Sequence, residues 1–234
     1  MKRILVSGAS RGIGGAVARA LADRGDEVWM TARTPAPLAA AAQAIGVDPH
    51  RTVTVDLADD DAGVRITRAL GDATLDGVVW AAGIIRRAPV GAILPEDLLA
   101  QLRVNLMAPI LVLQALAPRL ADGASIVLVS SNLSHRPVPG SLAYAASKAG
   151  LEAVARGLAQ ELAGRRIRVN ALALGAVLTE MMAGVPVEAL ERAHPLGVGT
   201  PADAAAALVA LLDAPWTTGA TLVSDGGAGV HSPP

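Results

Sequence analysis

Short runs of apolar residues alternate with longer stretches of helical spacing along the whole chain. "KRILVS" at 2–7, "EVWMTAR" at 27–33, "RTVTVDL" at 51–57, "LDGVVWAAG" at 75–83, "GASIVLVSS" at 123–131, "RIRVNALAL" at 166–174 and "GATLVSDGG" at 219–227 read as buried strands. Between them, residues 13–25, 36–46, 61–71, 94–121, 141–164, 187–193 and 201–215 read as helices, several stopped by Gly or opened by Pro. Strands that alternate with helices predict an α/β, doubly wound, Rossmann-type fold. Its single seven-stranded parallel sheet, ending on strand 220–224, would carry helices on both faces. Crossovers would be right-handed. No linker divides the chain, so one domain over 1–234 is expected.

Composition narrows the picture. Of the 234 residues, 52% are apolar, enough for a sizeable core. Twenty basic residues nearly balance twenty-one acidic ones, which argues against a broad nucleic-acid footprint. The chain has no Cys, and His50, His135, His194 and His231 lack ligand-like spacing, so no metal site is expected. The start reads as strand and turn rather than a signal peptide. Long apolar runs are interrupted by charge, Gly or Pro, so no membrane span and a cytoplasmic setting are expected. Helices 95–120 and 141–163 are long and poor in charge; each either covers the sheet or presents one face to a second subunit.

"SGASRGIGGA" places Gly8, Gly12 and Gly14 between the first strand and first helix. Gly8 permits a tight turn, Gly12 a close backbone approach and Gly14 close helix packing, with the helix N-terminus toward a pyrophosphate. The spacing is G-x-x-x-G-x-G, so it is the position that carries the reading. The second strand ends in Thr31, Ala32, Arg33 and Thr34, with no carboxylate for NAD ribose hydroxyls. Arg33, with Arg11 from the turn, suits the extra phosphate of NADP; both also read as solvated arginines. Asp56, followed by Leu57, suits either an adenine edge or a strand-end turn.

The chain's one tyrosine, Tyr144, precedes Lys148 by one helical turn, so the two share a face. Ser131 ends the fifth strand, where parallel sheets bind ligands, and Asn105 lies in the preceding long helix. A nearby ammonium and the positive ring of an oxidised cofactor would favour phenolate and prepare Tyr144 for proton transfer to or from a carbonyl oxygen that Ser131 polarises. By themselves, a Tyr–Lys pair and a strand-end Ser are equally explained by helix solubility and turn capping.

Taken together, these motifs resemble the classical short-chain dehydrogenase/reductase family over residues 2–227, most of all its ketoreductase-like, 3-oxoacyl carrier protein reductase-like members. "GASRGIG", "VVWAAG", "VNLMAP", "VSS", "YAASK" and "RVNALALGAVLT" stand in the family's order. The resemblance implies a single dinucleotide-binding and catalytic domain, with a small substrate lid around 179–196. Asn105, Ser131, Tyr144 and Lys148 would form the catalytic set, with Tyr144 as general acid. The proton would return through a ribose hydroxyl, Lys148 and a water near Asn105. The cofactor would meet Gly8, Ser10, Arg11, Gly12, Ile13 and Gly14, then Arg33, Thr34, Asp56, Leu57, Ala82 and Gly83. Tyr144, Lys148, Gly175, Val177 and Thr179 would complete that site, without metal. Two departures stand out: Ala81 replaces the family's Asn, and Leu174–Gly175 replaces its Pro-Gly. Ala176 and Val177 would still offer main-chain contacts to the carboxamide.

The expected activity is NADPH-dependent reduction of a ketone or 3-oxoacyl carbonyl by a homotetramer. Alternatives are an NAD-dependent alcohol dehydrogenase of the same fold and a catalytically silent nucleotide-binding regulator. Met181, Met182, Leu142 and Val185 suggest an adaptable apolar substrate wall, with His135, Arg136 and His194 as polar contacts or solvated groups.

Overall fold

The computed structural model describes residues 1–230; His231 and the last residues of the expected domain lie outside them. Seven strands form one parallel sheet: β1 (Arg3–Ser7), β2 (Glu27–Ala32), β3 (Thr52–Thr54), β4 (Leu75–Trp80), β5 (Leu120–Ser131), β6 (Arg168–Leu174) and β7 (Thr221–Ser224). Their order is β3-β2-β1-β4-β5-β6-β7, so the winding reverses between β1 and β4. There the carboxyl ends diverge and leave a crevice.

Helices α1 (Gly12–Asp23), α2 (Pro35–Ala44) and α8 (Pro201–Asp213) cover one face. Helices α3 (Ala62–Leu70), α4 (Pro95–Leu102), α5 (Ala108–Leu116) and α6 (Leu142–Glu161) lie on the other side, and α7 (Val187–Ala193) crosses the carboxyl end. Strands buried on both faces need apolar residues at every position, and period two divides them between two cores. In β1, Ile4 and Val6 join the α1–α8 core while Leu5 joins the α3–α5–α6 core.

Two expected strands are shorter than their apolar runs: β3 spans Thr52–Thr54, with Val55 N–H still donating to Ala32 O at 2.9 Å, and β4 stops at Trp80. Helix 94–121 is not uniform. A wide π turn, Arg103–Met107, separates α4 from α5, with Ala108 N–H reaching Arg103 O. Pro109 offers no N–H to the preceding turn, which favours this break. β5 begins at Leu120, and a register irregularity between Leu75 and Gly77 absorbs the added residues.

The helical run Pro95–Arg119 is, by length and composition alone, apolar enough to cross a membrane, although Arg103 and Pro109 interrupt it. Here Ala108, Val112, Leu113 and Leu116 bury its inner side against the sheet, while Leu99, Met107, Ile110 and Leu111 stay exposed. This one-sided burial is that of a helix covering a sheet.

Candidate active site

The crevice begins where β1 ends. The chain turns through Gly8 and Gly12 with left-handed φ of +66° and +56°. A Cβ on Gly14 would lie 2.3 Å from Gly8 O, and one on Gly8 would lie 3.0 Å from Ala82 Cα. Helix, turn and the segment after β4 therefore meet backbone to backbone. Ser7 Oγ accepts from Ala82 N–H at 3.1 Å, so β1 stays tied to this segment with Ala at 81. Arg11 is extended at the head of α1, with no acidic residue in the first helical turn. The first N–H groups of α1 make an anion cradle beside Ser10 and Ile13.

At the end of β2, Thr31 and Ala32 are buried and Arg33 and Thr34 are exposed. Arg33 has no ion-pair partner among the described residues. Arg11 does not join it. Its guanidinium pairs with Glu180 at 2.5 Å, across the crevice mouth. Asp56 Oδ1 accepts from Ala58 N–H at 2.9 Å, the turn-capping alternative, and Leu57 is buried.

On the far wall, Thr179 reaches the Gly-rich turn: a Cβ on Gly12 would lie 3.4 Å from Thr179 Cγ2. A Cβ on Gly175 would lie 2.7 Å from Asp225 Cα, so this glycine is required for close packing. Val177 is buried. Ala176 N–H is not free for a carboxamide as expected. It donates to His194 Nε2 at 3.0 Å, and His194 Nδ1 lies 2.6 Å from Leu190 O. The proton therefore sits on Nδ1 and donates to Leu190 O. Buried His194, one of the expected substrate contacts, thus anchors α7 where a Pro-Gly turn is missing.

The catalytic candidates converge between β5 and α6. Ala88 N–H donates to Gly140 O at 3.1 Å and holds the head of α6 against the loop after β4. Tyr144 and Lys148 are both buried. Lys148 Nζ donates to Val129 O at 2.7 Å and lies 5.7 Å from the Tyr144 ring centre. A Cβ on Gly83 would lie 3.2 Å from Asn105 Oδ1 and 3.3 Å from Lys148 Nζ, so both side chains close on that glycine. Asn105, carried by the π turn, accepts from Ile84 N–H at 2.8 Å and donates to Ile84 O at 2.9 Å and Ser147 Oγ at 3.0 Å. Its amide staples the segment after β4 to α6.

Burial dominates the electrostatics. It pushes the Tyr144 phenol up to about 12, against the opposing effects of a Ser131 hydrogen bond and the Arg87 charge. It also pulls Lys148 down to about 8, against the Glu152 carboxylate. The ammonium is one half of the expected pull toward phenolate, the other being an oxidised nicotinamide; among the protein's own groups, desolvation outweighs nearby charge and keeps the phenol protonated. A protonated phenol beside Ser131 can donate to an oxygen that gains electrons.

A family model described as Enoyl-(Acyl carrier protein) reductase matches residues 8–229. The chain is 38% identical to carbonyl reductase family member 4 of Danio rerio, covering 95% of this chain and 96% of that one. It is 37% identical to the Homo sapiens 3-oxoacyl-[acyl-carrier-protein] reductase, over 95% of both. This chain belongs to the short-chain dehydrogenase/reductase family. A short-chain dehydrogenase from Burkholderia cenocepacia J2315, solved in complex with NADP, superposes with a TM-score of 0.88 at 34% identity over 97% of each chain.

As a short-chain dehydrogenase/reductase, it is an NAD(P)-dependent oxidoreductase of the ketoreductase-like kind. The crevice fits a dinucleotide, since side chains at Gly8, Gly14 or Gly83 would crowd the cradle or the Asn105–Lys148 pair. Sequence reasoning missed Ser7, Glu180, His194 as an anchor, and Glu152. Only Glu152 left a readable sign: it follows Tyr144 and Lys148 at the same four-residue step, a third polar group on a buried helix face.

Proposed function

We propose that this enzyme uses NADPH to reduce a ketone or 3-oxoacyl carbonyl, with Tyr144 as the proton donor. The observation that carries this reading is the buried Tyr144 phenol at the end of β5, with Lys148 Nζ 5.7 Å from its ring centre and Ser131 close enough to act on it. When bound, the nicotinamide supplies hydride to the carbonyl carbon. Ser131 Oγ holds the carbonyl oxygen, and Tyr144 Oη gives that oxygen its proton, leaving an alcohol and a phenolate. The Lys148 ammonium stabilises the phenolate that forms. Asn105 keeps α6 and the loop after β4 in register and so keeps Tyr144 in place.

The preference for NADPH is supported by Arg33, exposed at the end of β2 where no carboxylate stands. Arg11 would exchange Glu180 for phosphate, at small cost because both partners of that pair are about two-thirds exposed. Arg33→Ala should weaken NADPH binding by about ten- to hundredfold, the size of a lost charge-assisted contact of about 1.5–3 kcal/mol. NADH binding should be spared. Fluorescence titration with both nucleotides decides it: equal losses, or tighter NADH binding by the parent protein, reject the assignment.

A further inference from the structure

One turn beyond Lys148 on α6, a carboxylate lies inside the protein. Glu152 is only 2% exposed. A buried carboxylate is costly unless its oxygens are paired, and these are. Oε1 accepts from Ser130 Oγ at 2.6 Å and faces Ser134 Oγ at 2.6 Å; Oε2 lies 2.9 Å from His135 Nε2. Ser134 Oγ also lies 2.5 Å from Ser131 O, so its single proton serves two acceptors. Residues on both sides of Ser131 are thus tied to one carboxylate. Beyond Glu152 the buried positions of α6 are apolar, Ala155 and Ala159, with Leu151 beside it. An apolar residue at 152 would meet the packing demand at less cost.

We propose that Glu152 is a positioning residue for carbonyl reduction, fixing Ser131 through Ser130 and Ser134. This rests on the role given above to Ser131. Half-exposed His135, on the loop after β5, meets the other carboxylate oxygen, so both oxygens of Glu152 are engaged on the side of α6 that faces Ser131.

Glu152→Gln keeps the shape but removes the charge that holds both serine hydroxyls, and Ser134→Ala removes one tie while leaving the carboxylate in place. In single-turnover carbonyl reduction with saturating NADPH, each variant should lose about tenfold or more in rate, while NADPH affinity from fluorescence titration stays parental. In a Ser131→Ala background, Ser134→Ala should cost nothing further, because it acts through Ser131. A merely structural glutamate would lower stability, leave the single-turnover rate parental and give additive losses. A parental rate in Glu152→Gln or Ser134→Ala, or an additive loss in the double variant, overturns the proposal. A parental rate in Ser131→Ala overturns the role of Ser131 itself, and the proposal with it.

Discussion

Tyr144 and Lys148 share one buried helix face, and burial moves both toward their neutral forms. For Lys148 the consequence for stability has a definite sign. Its folded value of about 8 lies below the ordinary 10.5, so between those values the unfolded chain holds more protons than the folded one. Stability contributed by this group therefore rises with pH from about 8 to 10.5, and below that window the buried ammonium costs about 3 kcal/mol. The parent protein should be less stable than Lys148→Met at neutral pH, and the gap should narrow by about 2 kcal/mol on going to about pH 9.5. Denaturant unfolding of both proteins at the two pH values checks this; a constant gap contradicts it. The residue types and their spacing were legible in the chain. The direction of the phenol shift was not, because it depends on how completely α6 is covered. That cover comes from segments far away in sequence.

At the scale of elements, the segment after β6 shows how a missing local signal is replaced at a distance. Leu174–Gly175 lacks the fixed φ of a proline turn, and α7 is only seven residues long with no buried position. His194 closes the gap by accepting from Ala176 N–H and donating to Leu190 O. His194→Phe keeps a ring but strands a backbone donor, a cost of about 1–3 kcal/mol. The melting temperature should fall by about 2–4 °C per kcal/mol lost, and proteolysis within 179–196 should accelerate. Unchanged cleavage and melting would contradict His194 as the anchor of α7. The same limit explains the break at Arg103–Met107. Pro109 was visible in the sequence, but a proline in a helix permits several local adjustments. The choice of a π turn follows from Asn105 reaching Ile84 and Ser147.

For the whole molecule, strand order brings distant segments into one site. The reversal between β1 and β4 sets the Gly8 turn against Ala82, while β5 and α6 carry Ser131, Tyr144 and Lys148 to the same end of the sheet. That architecture was legible because strands buried on both faces leave a pattern few other folds produce. Oligomeric state is written less clearly. Exposed Leu99, Met107, Ile110 and Leu111 support our proposal of a tetramer with α4, α5 and α6 at one two-fold interface. Sedimentation velocity at micromolar concentration should give a tetramer; a monomer alone contradicts it. The central claim, that one buried phenol supplies the proton, is tested most directly by single-turnover carbonyl reduction in Tyr144→Phe. The ring and its packing are kept and the acid is lost, so the rate should fall by about 10²–10⁴-fold with NADPH affinity nearly unchanged. A variant that keeps more than about a tenth of the parental single-turnover rate contradicts the acid role of Tyr144.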